Sequence, residues 1–392
     1  MPAADPRDAS SIAVVGAGPA GLAAALVLAR QGLAVSLIGP PANSSDTRTT
    51  ALLDGSLEIL RGAGVDVAAS GKAAPLRVMS IVDATQRLIR ARPVAFRAAE
   101  IGLEAFGWNI PNADLNDLLE AAVSAQPGLS RLRTSVEEMT TDDAGATLRL
   151  AEGAPLRCGL VIAADGRNSQ LRRAAGIEVE TKTYPQTALT LNLRTARPHD
   201  DRSTEFHTEE GPFTLVPLPG QRVSLVWVMS PTAAERRASL DDEALAAEIE
   251  RQCGSMLGLM VIDSRRSLWP MLRQSATSLV GPCLALVGEA GHTLPPIGAQ
   301  GLNLTMRDIA ALAAATAGAV DPGSPQVLEA YRRERRVDVA SRGTAVDLLN
   351  RSLLSPILAA QGARSIGLYL LEQTGPLRRA VMREGLAGGR RA

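Results

Sequence analysis

LALVGEAGHTLPPIGAQGLNLTMRD, residues 284–308, runs from a strand-like apolar segment through a turn and a proline pair. A Gly-Ala-Gln-Gly loop and a helix start follow. This order suits a site where backbone amides must come close to a large planar anionic ligand. Pro295 and Pro296 fix φ and supply no N–H, so the loop is stiff there. Gly298 and Gly301 allow positive φ and close backbone approach. The helix expected from near Leu302 offers unpaired N–H groups and the positive end of its dipole.

The N-terminus supplies an independent half of the argument. Ser11–Val15 (SIAVV) reads as a short buried strand, followed at once by Gly16-Ala17-Gly18-Pro19-Ala20-Gly21. Leu22–Gln31 has the apolar density of a packed helix, Gly32 is its expected stop, and Leu33–Ile38 resumes as a strand. This is the strand–GxGxxG–helix–strand context of a dinucleotide site. Gly16 makes the turn, Gly18 admits the pyrophosphate, and Gly21 lets helix and strand pack. One part is absent. An acid usually grips the adenosine ribose about twenty residues beyond the motif. This chain has Gly39 and two prolines there, and the nearest acid, Asp46, lies further on in a loop.

A third motif follows the apolar strand Leu160–Ala164: Asp165-Gly166-Arg167-Asn168-Ser169, with Arg172 on the next helix. Together the three motifs resemble those of the single-component, FAD-dependent aromatic hydroxylases, the para-hydroxybenzoate hydroxylase group, and span residues 11–308. The finer resemblance is to the ubiquinone-biosynthesis hydroxylases. It rests on Asp46-Thr47-Arg48, Trp108-Asn109-Ile110, Gly211-Pro212-Phe213 with Leu215–Leu218, and VSLVW at Val223–Trp227.

The resemblance implies bound FAD and a transient nicotinamide donor, NADH or NADPH. It places Gly16, Gly18, Pro19, Ala20, Gly21, Asp165 and Gly166 around the dinucleotide. Arg48 falls near the flavin phosphates or ribityl chain. Glu289 stands where the wider family has Asp, bonding the ribityl hydroxyls. Pro296, Gly298, Ala299, Gln300, Gly301, Leu302 and Asn303 would lie along the isoalloxazine, where the helix dipole stabilises negative charge on the reduced ring. Pro296, Gly298 and Gln300 position the flavin loop in catalysis, and no protein acid or base is assigned. His292 tempts as a proton carrier, one of three histidines, but its position varies within this branch.

Composition is consistent with this reading. The 392 residues carry 41 basic and 41 acidic side chains, so no net charge steers the chain toward nucleic acid. Aromatics are 3%, too few for a base-stacking surface. Cys158, Cys253 and Cys283 lack metal or redox spacing and read as small core residues, and no metal is expected. The start has no signal-peptide pattern and no apolar run spans a bilayer, so a cytoplasmic protein is expected, peripheral at most to the inner membrane.

The fold class expected is α/β with an α+β substrate layer: a Rossmann-like FAD domain interleaved with a β-sheet substrate domain and a helical tail. The FAD domain takes 1–72, 102–177 and 276–330, the substrate domain 73–101 and 178–275, and the C-terminal helices 331–392. Asn112–Ser124 reads as a helix capped by its Asn, and the Ala-rich helices read as composition rather than function.

The function implied is hydroxylation of an aromatic ring through a flavin hydroperoxide. The implied substrate is a polyprenylated phenol of ubiquinone biosynthesis. The competing readings are a reductase or oxidase of the same fold, or a catalytically weak flavoprotein in a quinone-biosynthesis assembly. The tail from Leu348 to Leu386 carries apolar residues at helical spacing with interspersed arginines. Packing on the flavin domain competes there with contact to membrane or partner enzymes.

Overall fold

The computed structural model describes residues 11–41, 46–85, 92–143, 145–296, 299–354 and 375–386. Gly298 lies outside the described residues, as does the tail between 354 and 375. The strand Ile12–Val15 is wholly buried and runs parallel to two neighbours, with Val14 opposite Ile162 on one side and Leu37 on the other. Leu284–Leu286 and Leu129–Leu132 extend this sheet outward, and Val280–Gly281 closes one edge antiparallel, giving six strands. The central strands Ile12–Val15, Leu160–Ala163 and Leu284–Leu286 are buried on both faces and read as continuous apolar runs rather than alternating ones.

The helix Pro19–Arg30 follows the first strand, with proline in its first turn where no N–H partner is needed. Ala23, Ala24 and Ala25 are fully buried because this helix is flanked by the helices Asn112–Ala125 and Gln300–Thr316 as well as the sheet. The short alanine side chains let the three helices approach. Leu22, Leu26 and Leu28 fill the remaining space, each contributing about 1.5–3 kcal/mol by burial.

A nine-stranded sheet forms the second layer. Its centre is the long strand Val179–Thr195, antiparallel to Arg222–Met229 and to Ser267–Ala276. Alternation decides its two faces. Leu189, Leu191, Leu193, Phe213, Leu225 and Trp227 point to one side, under the helices Pro231–Ala238 and Asp242–Gln252. Phe213 meets Phe206 and Trp227 edge-on at 5.6 and 5.1 Å. The intervening residues, among them Ala188, Thr190, Asn192, Ser224, Val226 and Val228, occupy the opposite face. Val78–Asp83 and Val94–Arg97 join the far edge, as expected of strands of a second layer. Ala74–Pro75 instead pairs with Gly107–Pro111 in a small three-stranded sheet that also holds Thr49–Leu53.

One cap differs from expectation. Pro111 occupies the position before the helix Asn112–Ala125, and Asn112 is its first helical residue. The Asn112 side chain accepts a bond from Thr50 Oγ1 at 2.6 Å and donates to Asp46 Oδ2 at 3.0 Å, so it serves the loop before it. In the tail, Gly375–Leu386 is helical, with Met382 buried beside Ala98 and Phe106.

Candidate cofactor site

Three turns meet at the C-terminal ends of the parallel strands, where open α/β sheets place their ligands. Gly16 sits at φ +113°, and a Cβ there would lie 2.2 Å from the carbonyl oxygen of Ala164. A Cβ on Gly21 would lie 1.8 Å from Gly16 O. Both glycines are thus required by backbone packing, and Gly16 places the first motif directly on the Asp165 motif. Gly18 differs: a side chain added there meets nothing within 4 Å. The same holds at Gly166 and Gly301. Each has open space where a side chain would sit, Gly18 and Gly166 in the turns after two parallel strands and Gly301 in the first turn of the helix Gln300–Thr316.

Beside these turns lie two buried polar atoms without protein partners. Asp165 spends Oδ2 on the N–H groups of Gln170 and Leu171, at 2.9 and 3.3 Å, while Oδ1 has no hydrogen-bond partner. Arg172 donates to Ala290 O at 2.8 Å and to Arg167 O at 3.0 Å, leaving Nε unsatisfied. Burial lowers the pKa of this guanidinium, against the pull of nearby Asp165. A buried acceptor and a buried donor without partners suit a polar ligand such as the ribityl–pyrophosphate chain of FAD.

Glu289 lies in the short turn Gly288–Ala290 and is exposed between the buried Gly288 and Ala290. Gly288, at φ +62°, would drive a Cβ to 2.9 Å from Thr305 Oγ1, so the turn is pressed onto the helix Gln300–Thr316. That helix starts at Gln300, two residues before the position expected from sequence, after Ala299 in the left-handed region at φ 55°. Pro296, Ala299 and Gly301 are exposed, and Leu302 is half-buried. Asn303 is buried and committed to protein. Its oxygen accepts from Leu53 N at 2.9 Å and Ser56 Oγ at 2.7 Å, and its nitrogen donates to Ala51 O and Ala299 O. Its side chain shapes the loop from behind.

Arg48 is preorganised. Nε and Nη2 grip both oxygens of Asp46 at 2.8 and 2.7 Å, and the guanidinium stacks on Trp269 at 4.6 Å. The hydrogen bond to Asp46 raises its pKa above the ordinary value, with Coulomb attraction from Asp46 and Glu289 adding to it. Arg48 therefore lies within electrostatic reach of the Glu289 turn. Burial alone would raise the Asp46 carboxyl, but bonds from Arg48 and Asn112 outweigh it and hold the pKa down.

The four passages behind the finer resemblance converge in space. Thr49 Oγ1 bonds Ser224 Oγ at 2.9 Å, Asn109 Nδ2 bonds Pro217 O at 2.8 Å, and Asn192 Nδ2 bonds Thr47 O at 3.1 Å. They tie the loop bearing Arg48 to the inner face of the nine-stranded sheet. Sequence reasoning missed Asn192, Ser224 and Trp269, whose neighbours in space are distant in the chain. It also gave no role to Asp308, fully buried behind the turn and bonded to His292 Nε2 at 2.6 Å.

At the adenosine end, Gly39 leaves no side chain for the ribose. A Cβ there would come within 2.9 Å of Ala17 N, and Arg131 Nη1 donates to Gly39 O at 2.7 Å. Arg131 also donates to Leu132 O at 2.9 Å and pairs with Glu120 at 3.1 Å, so it ties this backbone to the helix Asn112–Ala125. Among the described residues no cluster of His, Cys, Asp or Glu could hold a metal ion. No helix among them is long and apolar enough to cross a membrane.

Glycine turns at the C-terminal edge of a parallel sheet, with unpaired buried polar atoms beside them, fit a dinucleotide ligand. The chain belongs to the FAD-binding domain family, which it matches over residues 9–344. It is an FAD-dependent monooxygenase of the ubiquinone-hydroxylase type. It is 32% identical to the 3-demethoxyubiquinol 3-hydroxylase of Escherichia coli, over 96% of this chain and 98% of that protein. It is 30% identical to the ubiquinone hydroxylase UbiL of Rhodospirillum rubrum, over 96% and 89% respectively. In fold it is similar to the p-nitrophenol 4-monooxygenase PnpA of Pseudomonas putida. The TM-score is 0.79 at 19% identity, covering 98% of this chain and 99% of that one.

Proposed function

We propose that this protein hydroxylates the ring of a polyprenylated phenol in ubiquinone biosynthesis, with NADH or NADPH as electron donor. The observation that carries the reading is the similarity, along nearly the whole chain, to the two ubiquinone hydroxylases. The inner face of the nine-stranded sheet supports it. Ala188, Val228 and Met271 are buried there with Tyr184, Val226 and Trp269 packed against them, an apolar wall suited to an uncharged ring. Trp269 links that wall to Arg48.

Bound FAD supplies the electron storage and oxygen activation that no side chain can. The chain's own residues bind and orient. Gly16, Gly18, Pro19, Ala20 and Gly21 take the pyrophosphate against the helix Pro19–Arg30. Asp165 Oδ1 and Glu289 accept hydrogen bonds from the ribityl hydroxyls, and Arg48 offsets phosphate charge. The Pro296–Leu302 segment, Gly298 and Gln300 included, fixes the loop along the ring and excludes water from it. In this reading residues 1–72, 102–177 and 276–330 form the cofactor unit, and 73–101 with 178–275 the substrate unit.

A polyprenyl chain partitions into bilayers, so the substrate chemistry brings this protein to the surface of the inner membrane and to enzymes handling the same intermediates. Of the tail, the described helix Gly375–Leu386 packs on the protein. Met382 is buried, and Arg378 pairs with Glu100 at 2.7 Å and stacks over Phe96. Oxygen uptake driven by NADH or NADPH tests the reading. Stimulation by a short-chain polyprenylphenol is expected. Uptake indifferent to every phenol would favour a reductase or oxidase of this fold.

A further inference from the structure

Asp308 lies in the third turn of the helix Gln300–Thr316 and is completely buried. Its Oδ2 accepts the N–H of Gly288 at 3.0 Å and a bond from His292 Nε2 at 2.6 Å. Its Oδ1 accepts from Arg335 Nε at 2.7 Å. Arg335 also donates to Asp338 at 2.6 Å, and Arg307 reaches the other oxygen of Asp338 at 3.3 Å. A carboxylate removed from water is costly unless its charge and lone pairs are matched, and here they are. Burial alone would raise its pKa, but its contacts with His292, Arg335 and the Gly288 N–H outweigh that and keep it below the ordinary value.

The three partners of Asp308 belong to three different parts of the molecule. Gly288 opens the turn that carries Glu289. His292 sits on a short strand at the edge of the nine-stranded sheet, opposite Ser275. Arg335 comes from the long helix Pro325–Leu354, where Tyr331 also donates to Leu286 O at 2.7 Å, just before the turn. Arg172 holds the far side of the turn through Ala290 O. Of these contacts, the Asp308 bond to Gly288 N–H is the one adjoining Glu289 on its N-terminal side.

We infer that Asp308, with His292, is a positioning residue for cofactor binding: it fixes the Gly288–Ala290 turn so that Glu289 faces the cofactor cleft. The inference rests on the reading that Glu289 holds FAD. A carboxylate that merely stabilises the fold would act on FAD whether or not Glu289 is present. One that positions Glu289 loses its effect when Glu289 is removed.

The test is a double-mutant cycle on the full chain, reading FAD affinity from the quenching of free FAD fluorescence. Asp308→Asn is expected to weaken FAD about tenfold beside Glu289, but less than twofold in a Glu289→Ala background. His292→Gln, which keeps a donor near Asp308, is expected to fall between wild type and Asp308→Asn. Equal losses in both backgrounds, or no loss beside Glu289, would overturn the positioning role. Wild-type affinity in Glu289→Ala alone would instead break the underlying reading of Glu289, and is told apart by that single variant. If Asp308→Asn does not fold, His292→Gln carries the same cycle, and its additivity with Glu289→Ala overturns the proposal.

Discussion

The Gly16–Gly21 turn and the described part of the Gly288–Asp308 segment, both assigned to FAD under the proposed function, are held by different physical means. The first is held by backbone against backbone, with virtual Cβ contacts of 2.2 and 1.8 Å and no charged side chain. The second is held by side chains: Asp308 and Arg172 on the turn, Asn303 on the loop. Backbone packing gives no room for partial failure, whereas a network of side-chain bonds can be weakened one member at a time. Substitutions at Gly16 and Gly21 should therefore behave as all-or-none, and those in the second should be graded.

The largest effect is expected from Gly21→Val. With no flexible neighbour to yield, about 3 kcal/mol or more of stability should be lost, together with FAD retention. Thermal denaturation of the FAD-loaded protein checks it, and a tolerated Val would break the contrast. Glu289→Ala comes next. Removing hydrogen bonds from a charged acceptor should cost roughly 1.5–3 kcal/mol, or about tenfold or more in FAD affinity, with the fold intact. Titration with FAD reads it, and Glu289→Asp should lose less.

Gly301 sharpens the electrostatic side of the comparison. A Cβ there meets nothing within 4 Å, so the protein itself has room for alanine. Gly301→Asp should slow flavin reduction several-fold relative to Gly301→Ala in stopped-flow measurements, because a carboxylate opposes negative charge at the helix start. Equal rates would leave only packing against the cofactor. The smallest effect concerns Gly39. Restoring an acid by Gly39→Glu should raise FAD affinity by less than about twofold, because the new Cβ would strike Ala17. A larger gain in the same titration would show that the backbone there can yield.

The parallel sheet was legible because each of its motifs is local: a strand, a glycine turn and a helix start lie within a few residues. Arg222–Met229 was likewise readable from its own β-rich pattern. What escaped was long-range. Nothing near Trp269 in the chain announces that Arg48 will stack on it, and nothing near Asp308 announces Arg335. The helix start moved from Leu302 to Gln300 because Ala299 takes a left-handed conformation that sequence pattern does not reveal. The Asn112 cap failed for a similar reason, since Asp46 and Thr50 claim its side chain through tertiary contact.

Under the proposed function this chain uses bound FAD to place one oxygen atom on a phenol ring. A single turnover tests it without reference to the donor. The FAD-loaded protein is reduced anaerobically by dithionite, freed of excess reductant, and mixed with ¹⁸O₂ and a short-chain polyprenylphenol. The account expects a phenol product carrying one ¹⁸O atom. Unlabelled phenol, with the reducing equivalents recovered as labelled hydrogen peroxide, would contradict it.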